Sequence, residues 1–246
     1  MLFCIICNMF KDKFVLVIVI STILLLVGGF IFSSQKSLSS NPNGSKSVSQ
    51  ENLKLLEVVP DDYIKGNKDA SVTFIEYLDF ECEACAFYYP LIKQLADEFK
   101  NEVRFVNRYF PLPGHQNGLP SALAVEAAGR QGKYWEMHNI LYENQKSWGE
   151  KQFPDPTIFE GYAKQIGLNM EQFKKDVASP GVKDRVNRDK DSGTKLEVSG
   201  TPTFYLNGEK LPNPRSVEEL KSFIRAAILK APKPSTTPTP DISKVQ

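Results

Sequence analysis

Cys82 and Cys85 are separated only by Glu83 and Ala84. Two thiols at this spacing can pass a pair of electrons to or from a partner by opening or closing one disulfide. Their setting supports that chemistry. Val72–Asp79 (VTFIEYLD) is rich in β-branched and aromatic residues and predicts a strand, and Ala84–Phe99 carries Tyr88, Leu91, Ile92, Leu95 and Phe99 at helical spacing. The pair therefore follows a strand and opens a helix. There the backbone N–H groups and the positive helix end stabilise a thiolate on Cys82, below the free value of about 8.5. Cys85 lies one turn further in. The expectation is an exposed attacking sulfur and a protected resolving one. Three other readings compete. A zinc site needs four ligands, and His115 and His138 are single and widely spaced. An inert disulfide would close a tiny loop and constrain little. Two unrelated core cysteines would leave the strand-to-helix placement unexplained.

Further residues bear on the same chemistry. In Ser199-Gly200-Thr201-Pro202-Thr203-Phe204 a proline opens a strand, where its amide is the one most able to be cis. A cis Thr201–Pro202 bond would present the Thr201 backbone to an extended substrate; taken alone, Pro202 reads as an ordinary loop proline. Glu76 shares a strand face with Val72, Phe74 and Leu78. A carboxyl held there has a raised pKa and exchanges a proton with Cys85, unless it sits at a sheet edge and reaches solvent. His115 and His138 read as structural histidines. Phe80, Phe87, Tyr88 and Tyr89 flank the helix as core, with one or two left to line a peptide groove.

The elements that position these residues follow from periodicity. Val103–Tyr109 predicts a second strand, so strand, helix and strand make a βαβ unit with parallel strands. Helices are expected over Ser121–Arg130, Tyr134–Asn144, from Pro156 to Ile166 behind an Asp155 cap, from Asn169 to Val177, and from about Val182 to Leu196. Thr203–Leu206, the turn Asn207-Gly208 and Glu209–Leu211 predict a hairpin. Ser216 with Glu219 is a capping box for a last helix to about Lys230.

The ends differ from this core. Phe14–Phe32 is a charge-free run of 19 residues, about 28 Å long as a helix and enough to span a bilayer. It is longer than a signal-peptide core and lacks a small-residue cleavage site, so an uncleaved anchor is expected. Lys11 and Lys13 put residues 1–13 in the cytoplasm and the rest outside it. Residues 33–50 read as a flexible tether, 51–230 as the catalytic domain, and 231–246 as a Pro-rich disordered tail. Cys4 and Cys7 precede the anchor and are assigned no function. With 30 Lys+Arg against 29 Asp+Glu, the chain has no field to hold a nucleic acid.

Five motifs, in order, resemble the DsbA-like branch of the thioredoxin superfamily, the membrane-anchored bacterial thiol:disulfide oxidoreductases. They are Gly66-Asn67-Lys68-Asp69-Ala70, then Glu76 through Cys85 (EYLDFECEAC), and Phe110 through His115 (FPLPGH). Gly132 through His138 (GKYWEMH) and Gly200 through Phe204 (GTPTF) complete the set. The resemblance implies an α/β thioredoxin fold, βαβ…ββα around a central mixed sheet, with a helical insertion at about 115–196 and one transmembrane helix ahead of it. It implies Cys82 as nucleophile, Cys85 as resolving thiol, Pro202 as a cis-proline and Glu76 as a buried acid. No cofactor is expected beyond the Cys82–Cys85 disulfide. The expected partners are reduced secreted or membrane proteins and a quinone-linked membrane protein for reoxidation. Residues 33–60 are too short and polar for a dimerisation domain, so a monomer is expected. One departure stands out. The strongest oxidases of the family carry Pro and His between the cysteines, and a carboxylate at Glu83 is expected to disfavour the Cys82 thiolate and weaken the oxidant. The reading is an anchored disulfide donor; the alternatives are a reductase fed from a membrane electron donor, or a non-catalytic module that binds peptide or metal.

Overall fold

The computed structural model describes residues 50–149, 151 and 153–232. The expected anchor 14–32, the pair Cys4/Cys7, residues 33–49 of the tether and residues 233–246 of the tail lie outside the described residues. In chain order the elements are α1 (Gln50–Leu55), β1 (Ile64–Gly66), β2 (Val72–Leu78), α2 (Glu83–Glu98) and β3 (Val103–Tyr109). A helical block follows: α3 (Gly118–Arg130), α4 (Tyr134–Glu143), α5 (Gln145–Trp148), α6 (Pro156–Gln165), α7 (Met170–Val177) and α8 (Pro180–Lys195). The chain then returns to the sheet as β4 (Thr203–Leu206), β5 (Glu209–Lys210) and α9 (Val217–Lys230). No helix among the described residues is long and apolar enough to cross a membrane.

Every residue of β2 is buried because it is the middle strand of a five-stranded sheet ordered β1-β3-β2-β4-β5. It runs parallel to β3, with Val72 opposite Val103 and Leu78 opposite Tyr109, and antiparallel to β4, with Phe74 opposite Leu206. The sheet is therefore mixed, in a thioredoxin fold with a helical insertion. On one face Val72 and Phe74 pack with Leu95, Ala96 and Phe99 of α2 and with Leu220 and Ile224 of α9. On the other, Ile75, Tyr77 and Tyr205 meet Leu56, Phe110, Leu196 and Val198. A third core fills the helical block with Met137, Leu141, Trp148 and Phe159, and it takes in Leu78, Phe80, Cys82 and Cys85.

Helix ends follow their caps. The Asp155 side chain accepts from Thr157 N at 3.1 Å ahead of Pro156, and the Ser216 hydroxyl accepts from Glu219 N at 3.1 Å. Two helices begin earlier than their apolar pattern suggests. α3 starts at Gly118 rather than Ser121, and α8 starts at Pro180, where the Ser179 hydroxyl caps Val182 N. Two elements were not expected. β1 has three residues, too few for a periodic pattern, and it is held as an edge by antiparallel pairing with β3. α1 begins at Gln50, a residue assigned to the tether, and its Leu53 lies over Gly208, where a side chain would clash.

The helical block is fastened to the sheet by buried charge. The Arg108 guanidinium of β3 lies 2.7 Å from Asp62 and 3.7 Å from Asp189, and Arg185 of α8 meets the same two carboxylates. The two arginine side chains are 4% exposed and both aspartates 0%. Asp189 also accepts from Tyr109 N at 3.1 Å. Such a cluster is weak evidence for net stability, but removing one member leaves buried charge uncompensated. Asp189→Ala is expected to lower urea unfolding stability by about 3–5 kcal/mol. Breaking the exposed Lys133–Glu136 pair with Lys133→Ala is expected to cost less than about 1 kcal/mol.

Candidate active site

The turn between β2 and α2 is held from three sides. Asp79 is 1% exposed; its Oδ1 accepts from Glu81 N at 2.9 Å, and its Oδ2 accepts from Leu112 N at 2.8 Å and meets His115 Nδ1 at 2.7 Å. The Asp79 carbonyl accepts from Cys82 N at 3.1 Å. Glu81, also buried, accepts from Asn117 N at 2.6 Å. From the helical block, Gln145 Nε2 donates to Phe80 O at 2.8 Å and to Cys82 O at 2.9 Å. Cys82 is then the N-cap of α2, with φ −69° and ψ 120°, and its side chain makes no capping bond. The sulfur is left to face the loop before β4. The Thr201–Pro202 bond is cis, and Cys82 Sγ donates to Thr201 O at 3.3 Å.

Cys82, Cys85, Thr201 and Pro202 thus meet at one end of the sheet, with both cysteines as free thiols. Cys85 is 0% exposed and Cys82 only 8%. The attacking sulfur is less open than expected, because the helical block and the Thr201 loop close around it. Glu76 is 5% exposed on the central strand, so it does not reach solvent at an edge.

The electrostatics separate the two thiols. Interaction with the Cys85 thiol holds Cys82 down at about 5, with further help from the Thr201 side chain and from the Cys85 and Ala84 backbone, against the upward push of burial. Cys85 is driven well above the usual thiol range by burial, then by Cys82 and by the Glu76 charge. Burial, together with the charge of Cys82, raises Glu76 to about 8. The opposition expected from Glu83 does not prevail. Its side chain is exposed, where water screens it, while the groups favouring the thiolate touch the sulfur.

The two histidines behave differently. His115 rises above its ordinary value, since Asp79 more than offsets the opposing effect of burial. His138, 7% exposed between the rings of Trp135 and Tyr142, is lowered by burial to about 4 and is neutral near pH 7. Among the flanking aromatics Phe80 is core, whereas Phe87 is 68% exposed beside a groove of about 650 Å³ that also borders Glu83, Ala86 and Lys146. Asp79, Glu81, Asn117 and Gln145 carry the turn without having been singled out as site residues. Their partners lie 31 to 65 residues away for the last three, distances over which local pattern says nothing.

Two pH-dependent outcomes follow. Thiolate absorbance at 240 nm in the reduced protein is expected to titrate with a midpoint near pH 5, and Cys85→Ala is expected to move that midpoint upward. For Glu76 the folded value, about 8, lies above the unfolded 4.5, so the unfolded chain binds fewer protons between them. Stability therefore falls as pH rises from about 4.5 to 8. Glu76→Gln is expected to unfold at higher urea concentration than the wild type at pH 8, and to lose that advantage at pH 4.

Comparison with known proteins agrees with this geometry. The family model described as Thioredoxin matches residues 59–226. A crystal structure of a thioredoxin-like oxidoreductase from Silicibacter pomeroyi is 27% identical with a TM-score of 0.61, over 74% of this chain and 99% of that one. α-DsbA1 of Wolbachia pipientis is 20% identical with a TM-score of 0.66, over 73% and 96%. Oxidised BdbD from Bacillus subtilis is 24% identical with a TM-score of 0.62, over 68% and 93%. At those identities the last two speak for the fold. Among curated proteins, the Na(+)/H(+) antiporter NhaA 1 of Salinispora arenicola is 36% identical over 175 residues, which are 70% of this chain but 26% of that protein. The chain thus spans about a quarter of the length of the curated relatives it matches. Because the family match takes in both cysteines, Glu76 and the cis Thr201–Pro202 bond, this chain belongs to the thioredoxin family, in the DsbA-like form of its fold.

Proposed function

We propose that the protein is an extracytoplasmic thiol:disulfide oxidoreductase that hands its Cys82–Cys85 disulfide to secreted or membrane proteins. The observation that carries this reading is the opposite treatment of two sulfurs three residues apart, Cys82 held as a thiolate at about 5 and buried Cys85 pushed up. A substrate thiolate attacks Cys82 Sγ, the Cys82–Cys85 bond breaks, and its electron pair goes to Cys85, which takes a proton. A second substrate thiolate then attacks the substrate sulfur of the mixed disulfide and expels Cys82 as a thiolate. The substrate loses two electrons and the Cys82–Cys85 pair gains them. A low Cys82 pKa makes it a good leaving group in that second step and stabilises the reduced enzyme, which favours donation. Glu76, beneath Cys85, is the proton source for its thiolate, and Thr201 and Pro202 face the sulfur that the substrate meets. The run at 14–32 supplies the membrane anchor, with the domain outside the cytoplasm and the chain working as a monomer. A quinone-linked membrane protein reoxidises the pair.

Equilibrating the full chain in detergent with glutathione buffers tests the direction. A reduction potential of roughly −120 to −180 mV is expected for a disulfide donor. A value near −270 mV would instead make it a reductase fed by a membrane electron donor. Cys85→Ala is expected to lose disulfide donation and to trap mixed disulfides between Cys82 and an oxidised partner, which Cys85 would otherwise resolve, and Cys82→Ala to abolish exchange. Stoichiometric zinc with no exchange would leave only a binding module.

A further inference from the structure

Glu83 follows the nucleophile directly, yet it does not govern the ionisation of Cys82, so its charge is free to act on something else. Glu83 and Phe87 stand at i and i+4 on α2 and share one face of the helix. Both are exposed, and Phe87, at 68%, is the one large apolar side chain of α2 left this open. With Ala86 they border the groove of about 650 Å³, a size that suits small ligands and short peptide segments. Across from them, Glu143 and Lys146 come from the junction of α4 and α5. Gln145, which donates to Cys82 O, borders the groove too, so the groove begins at the turn that carries the sulfur.

The charges of this groove are not equally available. Glu143 accepts from Tyr89 Oη at 2.9 Å and from Lys93 Nζ at 3.2 Å, so its charge is met within the protein. Glu83 and Lys146 form no ion pair among the described residues. Of these two, Glu83 is the neighbour of Cys82, so a substrate at the sulfur meets its carboxylate first. From Glu83 to Phe87 the helix rises about 6 Å. An extended peptide advances about 6.6 Å over two residues, and residues two apart point the same way. A basic side chain and an apolar one two positions beyond it therefore fit the carboxylate and the ring together. We propose that Glu83 and Phe87 are specificity-determining residues, which select reduced substrates with a lysine or arginine beside the reacting cysteine and an apolar side chain two positions further on.

The inference rests on the redox reading above and names the substrate class of that same site. In the first step the substrate thiolate attacks Cys82 Sγ and a substrate–Cys82 bond forms. The Cys82–Cys85 bond breaks, and its electron pair leaves on Cys85, which takes a proton. Selection acts on the encounter before that step. Glu83 draws a basic segment towards the sulfur and turns an acidic one away, and Phe87 then supplies apolar contact one turn along the helix. Lys146, on the opposite bank, offers a partner to an acidic group further from the cysteine. A carboxylate between the two cysteines, which gives the thiolate no support, thus has a use in choosing what the thiolate meets.

The test is the rate at which reduced peptides open the Cys82–Cys85 disulfide of the oxidised full chain in nonionic detergent, followed by acid quench and mass spectrometry. Capped Cys-Lys-Gly-Leu and its reverse, Leu-Gly-Lys-Cys, are compared with versions carrying Glu for Lys or Gly for Leu. Each rate is divided by that peptide's rate with neutral hydroxyethyl disulfide, which removes differences in intrinsic thiol reactivity. At low ionic strength the Lys form is expected to react about tenfold faster than the Glu form in at least one order, and the ratio to shrink at high salt. Glu83→Gln is expected to bring that ratio within about twofold, and Phe87→Ala to remove the advantage of Leu over Gly. Any change in the Cys82 thiolate itself cancels in these ratios, and both side chains are exposed, so neither substitution opens the core. Equal rates for the Lys and Glu peptides, or a preference that Glu83→Gln leaves whole, would overturn the selection while leaving the redox reading intact. Failure of every peptide to open the wild-type disulfide would overturn both.

Discussion

The carbonyls of Phe80 and Cys82 both accept from one side-chain nitrogen, Gln145 Nε2, and much of the site hangs on that bridge. It fixes how the chain reverses between the central strand and α2, and so where the first N–H groups of α2 point. With that axis set, Cys82 meets the Thr201 carbonyl and Cys85 falls on the buried face of α2. Asp79 and Glu81 repeat the arrangement on the other side of the turn, each accepting backbone N–H groups from the segment after β3. The helical insertion is thus a scaffold for the reactive turn as much as a cover over it. Loss of the Gln145 amide would strand two backbone acceptors in a dry place, at a cost out of proportion to one side chain.

Burial acts on three acids within one small region and produces two opposite results. Cys85 and Glu76 lack donors enough to offset lost hydration, so both resist ionisation. Cys82 is spared because its neighbours touch the sulfur itself. Proximity therefore outranks formal charge. An exposed carboxylate one residue away, at Glu83, counts for less than hydrogen-bonding groups in contact.

Much of this was legible in the chain. The β-branched run at 72–78, the apolar spacing of α2 and the caps at Asp155, Asn169 and Ser216 each encode local structure in adjacent residues, and those elements formed. Glu76 announced itself as an acid in an apolar strand face. What stayed hidden was what depends on distant partners. The strand Ile64–Gly66 is too short to show a period and exists because β3 offers it an edge. Gln145 looks like any polar residue between two helices until Phe80 comes to it from 65 positions away. No local pattern marks Arg108 and Arg185 as buried, and only the fold brings Asp62 and Asp189 to them. The weight of Glu83 depends on its exposure, which the fold alone supplies: its side chain stands in water, which screens it.

The seat of α1 has a consequence for reach. Leu53 and Leu56 border Thr73, Asn207 and Gly208, at the end of the sheet where β2 begins. Cys82 follows the other end of β2, a strand seven residues and about 23 Å long. The described chain therefore enters the domain at its tail and carries its sulfur at its head.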